Sequence, residues 1–435
     1  MIEIHQLDNG LTVLLQESRR APVTTFWVWY RVGSRNEVPG ITGIAHWAEH
    51  MLFKGSDAFP KGQIDKEIAR NGGMMNGMTW LDFTTFFETL PADRIDLALR
   101  IESDRMVNAL FDPEEVARER TVIISERQGA ENQPSFLLGE ELVAAAFRIH
   151  PYHHQTIGDM CDLEVMTHGQ LWDHYQAYYG PNNAVAVAVG DFEAPRMLDR
   201  IGELFGPLEA RPLPPPLYRP EPPQRGERRV TLQGPGSTSY VQSAYRVPAA
   251  AEDDFSALTV LAAILSGPSG MNMFSASPPN RTSRLYQALV ERELAASVSG
   301  AYAPTLDPYL YRVAVTVRGG RTGVEVEEVL DAEMDRIRRE PVTAAELERA
   351  IKQTKAQFAY SSESVTNQGF WLGYAAVVAD VAWFETFLQR IEAVTVKDVQ
   401  RVANDYLAPT NRTVGHYLGQ SGAAGGQGSG PEEDK

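Results

Sequence analysis

Two histidines and a glutamate lie within five positions of an otherwise apolar segment, GIAHWAEHMLFKGS at 43–56. If this segment is helical, His46 and His50 are one turn apart and project from the same face, with Glu49 close to the same point. Two imidazoles on one face can bind one metal ion. A zinc site for hydrolysis takes three protein ligands and leaves a fourth position for water, whose proton Glu49 could accept. The alternative is a surface helix that carries incidental histidines.

The order H-x-x-E-H is the reverse of the more common H-E-x-x-H and defines the inverzincin motif. A third ligand is expected on another element, as a carboxylate or a histidine. The stretch EVARERTVIISERQGAEN at 115–132 has helical periodicity and places Glu119 and Glu126 seven positions apart, two turns along one face. Glu126 follows His50 by 76 residues. Spacing alone leaves both glutamates as candidates for the third ligand.

The chain that must position these residues has 435 residues, and single cores stop growing at roughly 250–300 residues, so at least two domains are expected. The clearest shift in composition is RPLPPPLYRPEPPQRGE at 211–227, whose seven prolines favour extended backbone and exclude helix. We therefore predict a first domain at 1–210, a Pro-rich linker at 211–227 and a second domain at 228–418. The glycine-rich, polar tail at 419–435 is predicted to be disordered.

Both halves alternate strand-like and helix-like patterns, which predicts diverged copies of one α+β or α/β unit. GLTVLLQE and TTFWVWYRVG open the first half, and RRVTLQG and TSYVQSAYRV open the second. Helical periodicity covers the ranges 41–54, 61–71, 92–108, 113–129, 253–266, 283–293, 322–338, 343–360 and 396–406.

The composition argues against several kinds of partner, against disulfide cross-links and against a membrane span. Acidic residues exceed basic ones, 57 to 40, and the net charge of −17 argues against nucleic acid or an anionic membrane surface. The single cysteine, Cys161, excludes an intramolecular disulfide framework and a cysteine-rich metal cluster. No apolar run reaches the ~20 residues that span a bilayer, and the N-terminal sequence lacks a signal-peptide pattern. The chain is therefore predicted to be soluble and cytoplasmic or, where an export signal has been removed, periplasmic.

Segments of the first half together resemble the pitrilysin, insulin-degrading enzyme and mitochondrial processing peptidase family. They are HWAEHMLFKGS, the later RERTVIISERQ, NGGMMNGMTWLDFTTFF between them, and HPYHHQTIG with YYGPNNAVAVAVGDF after them. The resemblance covers most of the first half. It implies an α+β fold of two homologous domains, each a mostly antiparallel sheet packed with helices, that form a clamshell around a peptide.

Carried onto this sequence, the resemblance implies one Zn²⁺ per chain, bound by His46, His50 and Glu126, with Glu49 as the general base. Glu119 matches the family's supporting carboxylate, which helps to hold or orient the site. The alternative for Glu119 is a solvated helix carboxylate that pairs with neighbouring arginines.

Asn76 matches the asparagine of the family pattern GGxxNAxT, here GGMMNGMT, and would hydrogen-bond substrate backbone beside the metal. Family members bind peptide as an added strand on a sheet edge, and FTTFFETL is expected to belong to that sheet. Otherwise Asn76 is an ordinary turn residue. His150, His153 and His154 match a family loop that packs near the domain surface, so we predict that they are structural or solvated and do not form a second metal cluster.

The second half resembles the family more weakly, through TSRLYQALVERELAASVSGAY. Active members carry an arginine and a tyrosine seven residues apart in this stretch, which bind substrate and stabilise the oxyanion across the cleft. This chain has Ala296 at the tyrosine position and Leu289, or Ala288 with a one-residue shortening, at the arginine position. Neither Arg284 nor Arg292 has the required spacing.

Because the chain has the metal motif but not this pair, we predict that it forms a heterodimer with a homologous partner subunit that supplies the arginine and the tyrosine. The predicted function is a zinc metalloendopeptidase that hydrolyses peptides or small unfolded proteins in an enclosed chamber. One alternative is activity alone with substitute donors such as Tyr302 or Arg292. The other is a noncatalytic peptide-binding or assembly subunit, as in the family's respiratory-complex core proteins. The long segment 266–285 is expected to be a tolerated surface insertion, or else to line the chamber or contact the partner.

Overall fold

The computed structural model describes residues 1–268 and 281–420. Most of the segment 266–285 and of the predicted tail therefore lies outside the described residues. Gly419 and Gln420 belong to the last strand, and the predicted disorder of the tail stays a prediction.

The first sheet is built, within the described residues, from six strands: β1 (Glu3–Gln6), β2 (Thr12–Glu17), β3 (Val23–Tyr30), β4 (Met74–Thr79), β5 (Thr84–Pro91) and β6 (Ala184–Gly190). Their order is β1-β2-β6-β3-β5-β4, and only β2 and β6 run parallel. β6, AVAVAVG, is buried at every position. A continuous apolar run of this kind is typical of a strand covered on both faces.

The second sheet has five strands in the described residues: β7 (Arg228–Pro235), β8 (Tyr240–Val247), β9 (Ala295–Ala301), β10 (Tyr309–Val317) and β11 (Arg412–Gln420). Their order is β7-β11-β8-β10-β9, so the first strand pairs with the last and the second with the fourth. The strands β2 to β6 follow the same permutation, and in each sheet the first and last strands are parallel. The predicted α+β fold, with two homologous and mostly antiparallel domains in a clamshell, is confirmed.

The helices of the first half are α1 (Ile44–Leu52), α2 (Gln63–Arg70), α3 (Asp96–Asn108), α4 (Pro113–Glu131), α5 (Pro134–Ala146), α6 (Met160–Val165), α7 (His168–Tyr178) and α8 (Ala194–Phe205). Those of the second half are α9 (Phe255–Ser266), α10 (Gly323–Arg339), α11 (Ala344–Ser361), α12 (Val365–Val378), α13 (Val381–Glu392) and α14 (Val396–Tyr406). Among the described residues no single helix is long and apolar enough to cross a membrane. Only α12 and α13 taken together pass that test, and they are bent by 102°.

The helix predicted over 283–293 is wrong in its extent. The structure has a short π-helical turn at Tyr286–Val290, and the chain then turns into β9 through Glu293, whose φ is +59°. A left-handed residue cannot continue a right-handed helix. Six of the described helices lie outside the predicted ranges: α5, α6, α7, α8, α12 and α13. Of these, α12 is apolar around most of its circumference and α5 has little amphipathic pattern.

The two halves exchange one helix each. α5, from the first half, packs on β7, β8 and β11; Gln242 of β8 donates to the Ser135 carbonyl oxygen at 2.9 Å. α12, from the second half, packs on β3 and β6, and the ring of Phe370 lies 5.3 Å from that of Trp29. Each sheet is therefore covered on one face by the other half of the sequence. The segment 211–227 contains no helix or strand, and its role as a domain boundary stays a prediction.

Candidate metal and catalytic site

The helix that carries the H-x-x-E-H motif begins at a position that requires glycine. Gly43 has a φ of +86°, and a Cβ there would lie 2.6 Å from the carbonyl oxygen of Ile157. A glycine offers no side-chain cap, and the amides of Gly43 and Ala45 donate instead to Glu37 at 2.8 and 2.9 Å. His154 Nε2 contacts the same buried carboxylate at 2.7 Å. A carboxylate at the positive end of α1 is favourable, and it fixes the start of the helix just before His46.

The three predicted metal ligands lie together. The ligand atoms of His46, His50 and Glu126 all lie within 4.8 Å of one another, and no other such group of three occurs in the part of the chain that is described. Glu126 Oε2, from α4, is 4.0 Å from His46 Nε2 and 3.7 Å from His50 Nε2. The two histidines are mostly buried, whereas the Glu126 side chain is 44% exposed, so the cluster opens towards solvent on the Glu126 side.

This donor set fits zinc. Two imidazole nitrogens and a carboxylate oxygen are ligands that zinc accepts at roughly 2.0–2.2 Å each. Two donors on one ion lie at most about 4.0–4.4 Å apart, twice that length, and the separations of 4.0 and 3.7 Å from Glu126 Oε2 fall within this limit. Burial, and then the neighbouring His50, lowers the pKa of His46 to about 4, which keeps its imidazole neutral and available as a ligand at neutral pH.

Glu49 is buried beside the histidines but turns to a different partner. The Thr79 hydroxyl, at the end of β4, donates to Glu49 Oε2 at 2.6 Å. Burial raises the pKa of Glu49 to about 7, and the hydrogen bond from Thr79 and the nearby His50 partly offset that rise. A carboxylate with a pKa close to neutral can both accept and return a proton, which is what a general base followed by a general acid must do.

The structure separates the two glutamates of α4 that the spacing left equivalent. Glu119 is buried, and its Oε1 lies 2.9 Å from Nδ1 of His50, whereas its Oε2 lies 2.5 Å from Nζ of Lys54. Since an ionised carboxylate only accepts, Nδ1 carries the hydrogen and Nε2 keeps its lone pair on the side of Glu126. Burial alone would raise the pKa of Glu119, but the contacts with His50 and Lys54 outweigh it and lower that pKa. Glu126 thus lies beside both histidines of the candidate metal site, and Glu119 lies behind His50.

The pKa of His50 moves in the opposite direction from that of His46. Burial lowers it, but the hydrogen bond to Glu119 and the charges of Glu126 and Glu49 outweigh burial, so the pKa is raised. A metal ion at His50 would therefore compete with a proton.

Asn76 lies on the outermost strand of the first sheet. Its side chain is exposed, and its Oδ1 accepts from the amide of Gly77 at 2.9 Å. β4 pairs only with β5 among the described strands, so its outer backbone groups form an open edge. Thr79, which contacts Glu49, is on the same strand, so this edge runs up to the buried carboxylate.

The second half has neither an arginine nor a tyrosine at the two positions that the family motif specifies. Leu289 is fully buried in the π-helical turn, and Ala296 is an exposed residue of the edge strand β9. Of the substitute donors, Tyr302 is buried, with its hydroxyl donating to the Pro248 carbonyl oxygen at 3.0 Å, and Arg292 is exposed. Arg284 pairs with Glu346 at 2.8 Å.

The three histidines of the HPYHHQTIG loop have separate protein partners. His150 contacts Asp307 at 3.2 Å, His153 contacts the His150 carbonyl oxygen at 2.8 Å, and His154 contacts Glu37 at 2.7 Å. Their interpretation as structural residues agrees with these contacts, and His154 supports α1 through Glu37.

Comparison with known proteins establishes the family. The family model described as Insulinase (Peptidase family M16) matches residues 12–160, and the model described as Peptidase M16 inactive domain matches residues 166–354. The chain belongs to peptidase family M16, which confirms the resemblance read from the motifs.

Similar proteins include a zinc protease, PqqE, of Helicobacter pylori, which is 28% identical over 416 residues, 94% of this chain and 90% of that protein. The probable mitochondrial-processing peptidase subunit beta of Arabidopsis thaliana is 30% identical over 206 residues, 47% of this chain and 39% of that protein. The crystal structure of a protease from Helicobacter pylori has a TM-score of 0.90 at 27% identity, covering 96% of this chain and 99% of that one.

Sequence reasoning missed four residues around the site. Thr79 is the last residue of the GGMMNGMT pattern, so its position beside the motif was a usable signal. Lys54 follows His50 by one helical turn, so its place near the motif could also have been inferred from the sequence. Glu37 and His154 are 117 residues apart in sequence, and no spacing rule links them.

Proposed function

We propose that this chain is a zinc metalloendopeptidase that cleaves peptides or small unfolded proteins in the enclosed space between its domains and those of a partner. The observation that carries the proposal is the convergence of His46, His50 and Glu126 next to Glu49, a buried carboxylate with a near-neutral pKa. Relatives along most of the chain are named zinc proteases, which supports the same activity here.

In this proposal the chain's residues divide the chemistry. His46, His50 and Glu126 would hold a zinc ion, which would supply Lewis-acid chemistry for the carbonyl and the water. Glu49 accepts the proton of the attacking water and returns it to the leaving amine. Thr79 holds Glu49 in place through its hydroxyl, and Glu119 fixes the ring of His50.

Substrate is proposed to bind as an added strand along β4. Its open edge offers backbone hydrogen bonds that do not depend on side-chain identity, which suits a peptidase of broad sequence range. Asn76 projects from this strand and is exposed, so it can hydrogen-bond the peptide backbone. The same strand ends at Thr79, which brings the bound backbone towards Glu49.

We further propose that activity requires a homologous partner subunit that supplies an arginine and a tyrosine. Leu289 and Ala296 leave their positions without donors, and the Tyr302 hydroxyl is already used inside the second domain. Supporting this, one relative is named as a subunit of a mitochondrial-processing peptidase.

The test of the metal and base assignments uses Glu49→Gln together with Glu126→Ala. Glu49→Gln should keep one zinc per chain and lose peptide hydrolysis, because the amide is nearly isosteric but cannot accept the proton. Glu126→Ala should instead lose zinc, measured by elemental analysis after dialysis against a weak chelator. Bound zinc with undiminished turnover in Glu49→Gln would remove Glu49 from the role of base. A wild type that takes up no zinc would favour a noncatalytic peptide-binding or assembly subunit.

The partner is tested by activity of the purified chain with and without the homologous subunit. Alone, the chain should bind zinc and cleave slowly, because loss of one oxyanion donor typically costs ~10²- to 10³-fold in rate. The partner should restore the rate in a one-to-one complex, and replacing its tyrosine with phenylalanine should remove most of the gain without changing zinc content. Full activity of this chain as a monomer or homodimer would contradict the heterodimer and direct attention to donors such as Arg292.

A further inference from the structure

Lys54 occupies a defined position behind the metal cluster. It lies two residues after Leu52, the last residue of α1; its amide donates to the Met51 carbonyl oxygen at 2.9 Å, and the next residue, Gly55, has a φ of +116°. This turn places the lysine four residues after His50, just beyond the C-terminal end of α1. A cation at the C-terminal end of a helix is also favoured by the helix dipole.

From this position the lysine reaches α4. Its ammonium lies 2.5 Å from Oε2 of Glu119, whose other oxygen lies 2.9 Å from Nδ1 of His50. The Glu119 side chain is only 7% exposed, whereas that of Lys54 is 27% exposed. The two oxygens of one buried carboxylate thus each have a partner, His50 on α1 and Lys54 just beyond the end of that helix.

We propose that Lys54 is a positioning residue for the metal site, acting through Glu119 on His50; this rests on the proposed zinc function. With Lys54 in place the carboxylate plane is fixed at both oxygens, so Oε1 stays on Nδ1 of His50 and the ring stays aimed at Glu126. Without the ammonium the carboxylate is free to rotate away from the imidazole. Groups that orient a metal-bound histidine commonly change metal affinity by 10- to 100-fold.

The direction in which zinc affinity changes distinguishes a positioning role of Lys54 from a purely electrostatic one. A lysine near a bound cation repels it, so removing the charge should by itself leave zinc affinity unchanged or increase it. A positioning lysine predicts the opposite, a loss of affinity when the ammonium is removed.

The chain supplies a matched control pair. Lys61 contacts Glu115, also on α4, at the same Nζ–Oε2 distance of 2.5 Å, but Lys61 is 55% exposed and no metal ligand contacts Glu115 in the described structure. Exposed pairs of this kind contribute little.

The experiment measures zinc dissociation constants by competition with a chromophoric chelator for wild type, Lys54→Met and Lys61→Met. Lys54→Met should bind zinc about tenfold more weakly, at the lower end of the range for groups that orient a ligand, and Lys61→Met should match wild type. Thermal midpoints of the metal-free proteins serve to show that each variant is folded.

A double-mutant cycle tests the route through Glu119. In a Glu119→Gln background, Lys54→Met should add no further loss of zinc affinity, because the carboxylate on which it acts is gone. Equal or tighter zinc binding by Lys54→Met, with wild type binding one zinc, would overturn this inference and leave the proposed function intact. A wild type that binds no zinc would overturn both.

Discussion

Replacing Thr79 with valine tests the proposed role of Glu49 as the general base. The hydroxyl donates to Glu49 Oε2 at 2.6 Å and stabilises the ionised form, against the burial that raises the pKa of Glu49 to about 7. Thr79→Val keeps the shape of the side chain and removes this donor. The pKa of Glu49 should therefore rise further, and under the proposed function hydrolysis should need a higher pH to keep Glu49 ionised.

The expected size follows from the hydrogen bonds that remain. A hydrogen bond to a charged group contributes about 1.5–3 kcal/mol, which corresponds to roughly one to two pKa units at 1.36 kcal/mol per unit. The Thr79 backbone amide also hydrogen-bonds Glu49 and survives the substitution, so we expect the lower end, about one unit. A metal bound in both proteins shifts both pKa values, and their difference remains.

The assay is the pH dependence of kcat/KM on a fluorogenic peptide, with the partner subunit present if activity requires it. The acid limb should move up by about one unit, so that kcat/KM well below the pKa falls by about tenfold while the value on the alkaline side is retained. Thr85→Val is the matched control, because the Thr85 hydroxyl is buried in the same sheet and donates to the Val28 carbonyl oxygen. An unshifted acid limb in a folded Thr79→Val protein would refute the assignment of Glu49 as the titrating base.

Three further outcomes are expected. Zinc at about 1,000 times its dissociation constant should stabilise the protein by roughly 4 kcal/mol in thermal unfolding, and His50→Ala should abolish this stabilisation. Gly373→Ala should cost about 1–3 kcal/mol or more in denaturant unfolding, because a Cβ there would lie 2.0 Å from Trp29 Nε1, whereas Gly202→Ala, with open space around it, should not destabilise. Burial raises the pKa of Asp82 from 3.8 to about 6, so the folded state binds that proton more tightly than the unfolded state. Wild type should therefore lose roughly 3 kcal/mol of unfolding free energy between about pH 4 and 6 relative to Asp82→Asn, and this loss should persist above pH 6.

The sequence by itself determined the parts of the site that depend on local geometry. One turn of helix places His46 and His50 on one face whatever surrounds them, so the metal motif was readable before the fold was known. Strand-like alternation and the Pro-rich segment likewise indicated two similar α+β halves, which the shared strand order of the two sheets bears out. These predictions hold because the backbone alone sets the periodicity of two residues in a strand and of 3.6 residues in a helix.

Only the tertiary structure decided which distant residues meet. Glu119 and Glu126 are equivalent by spacing. The packing of α4 against α1 buries Glu119 on His50 and Lys54 and leaves Glu126 at the candidate metal site. The sequence also did not predict that α5 packs on the second sheet and α12 on the first. Such apolar helices can cover any sheet, and the choice of sheet depends on how the whole chain closes. Contacts such as Glu37 with His154, 117 residues apart, exist only once both segments have been placed by that closure, because no backbone periodicity extends so far.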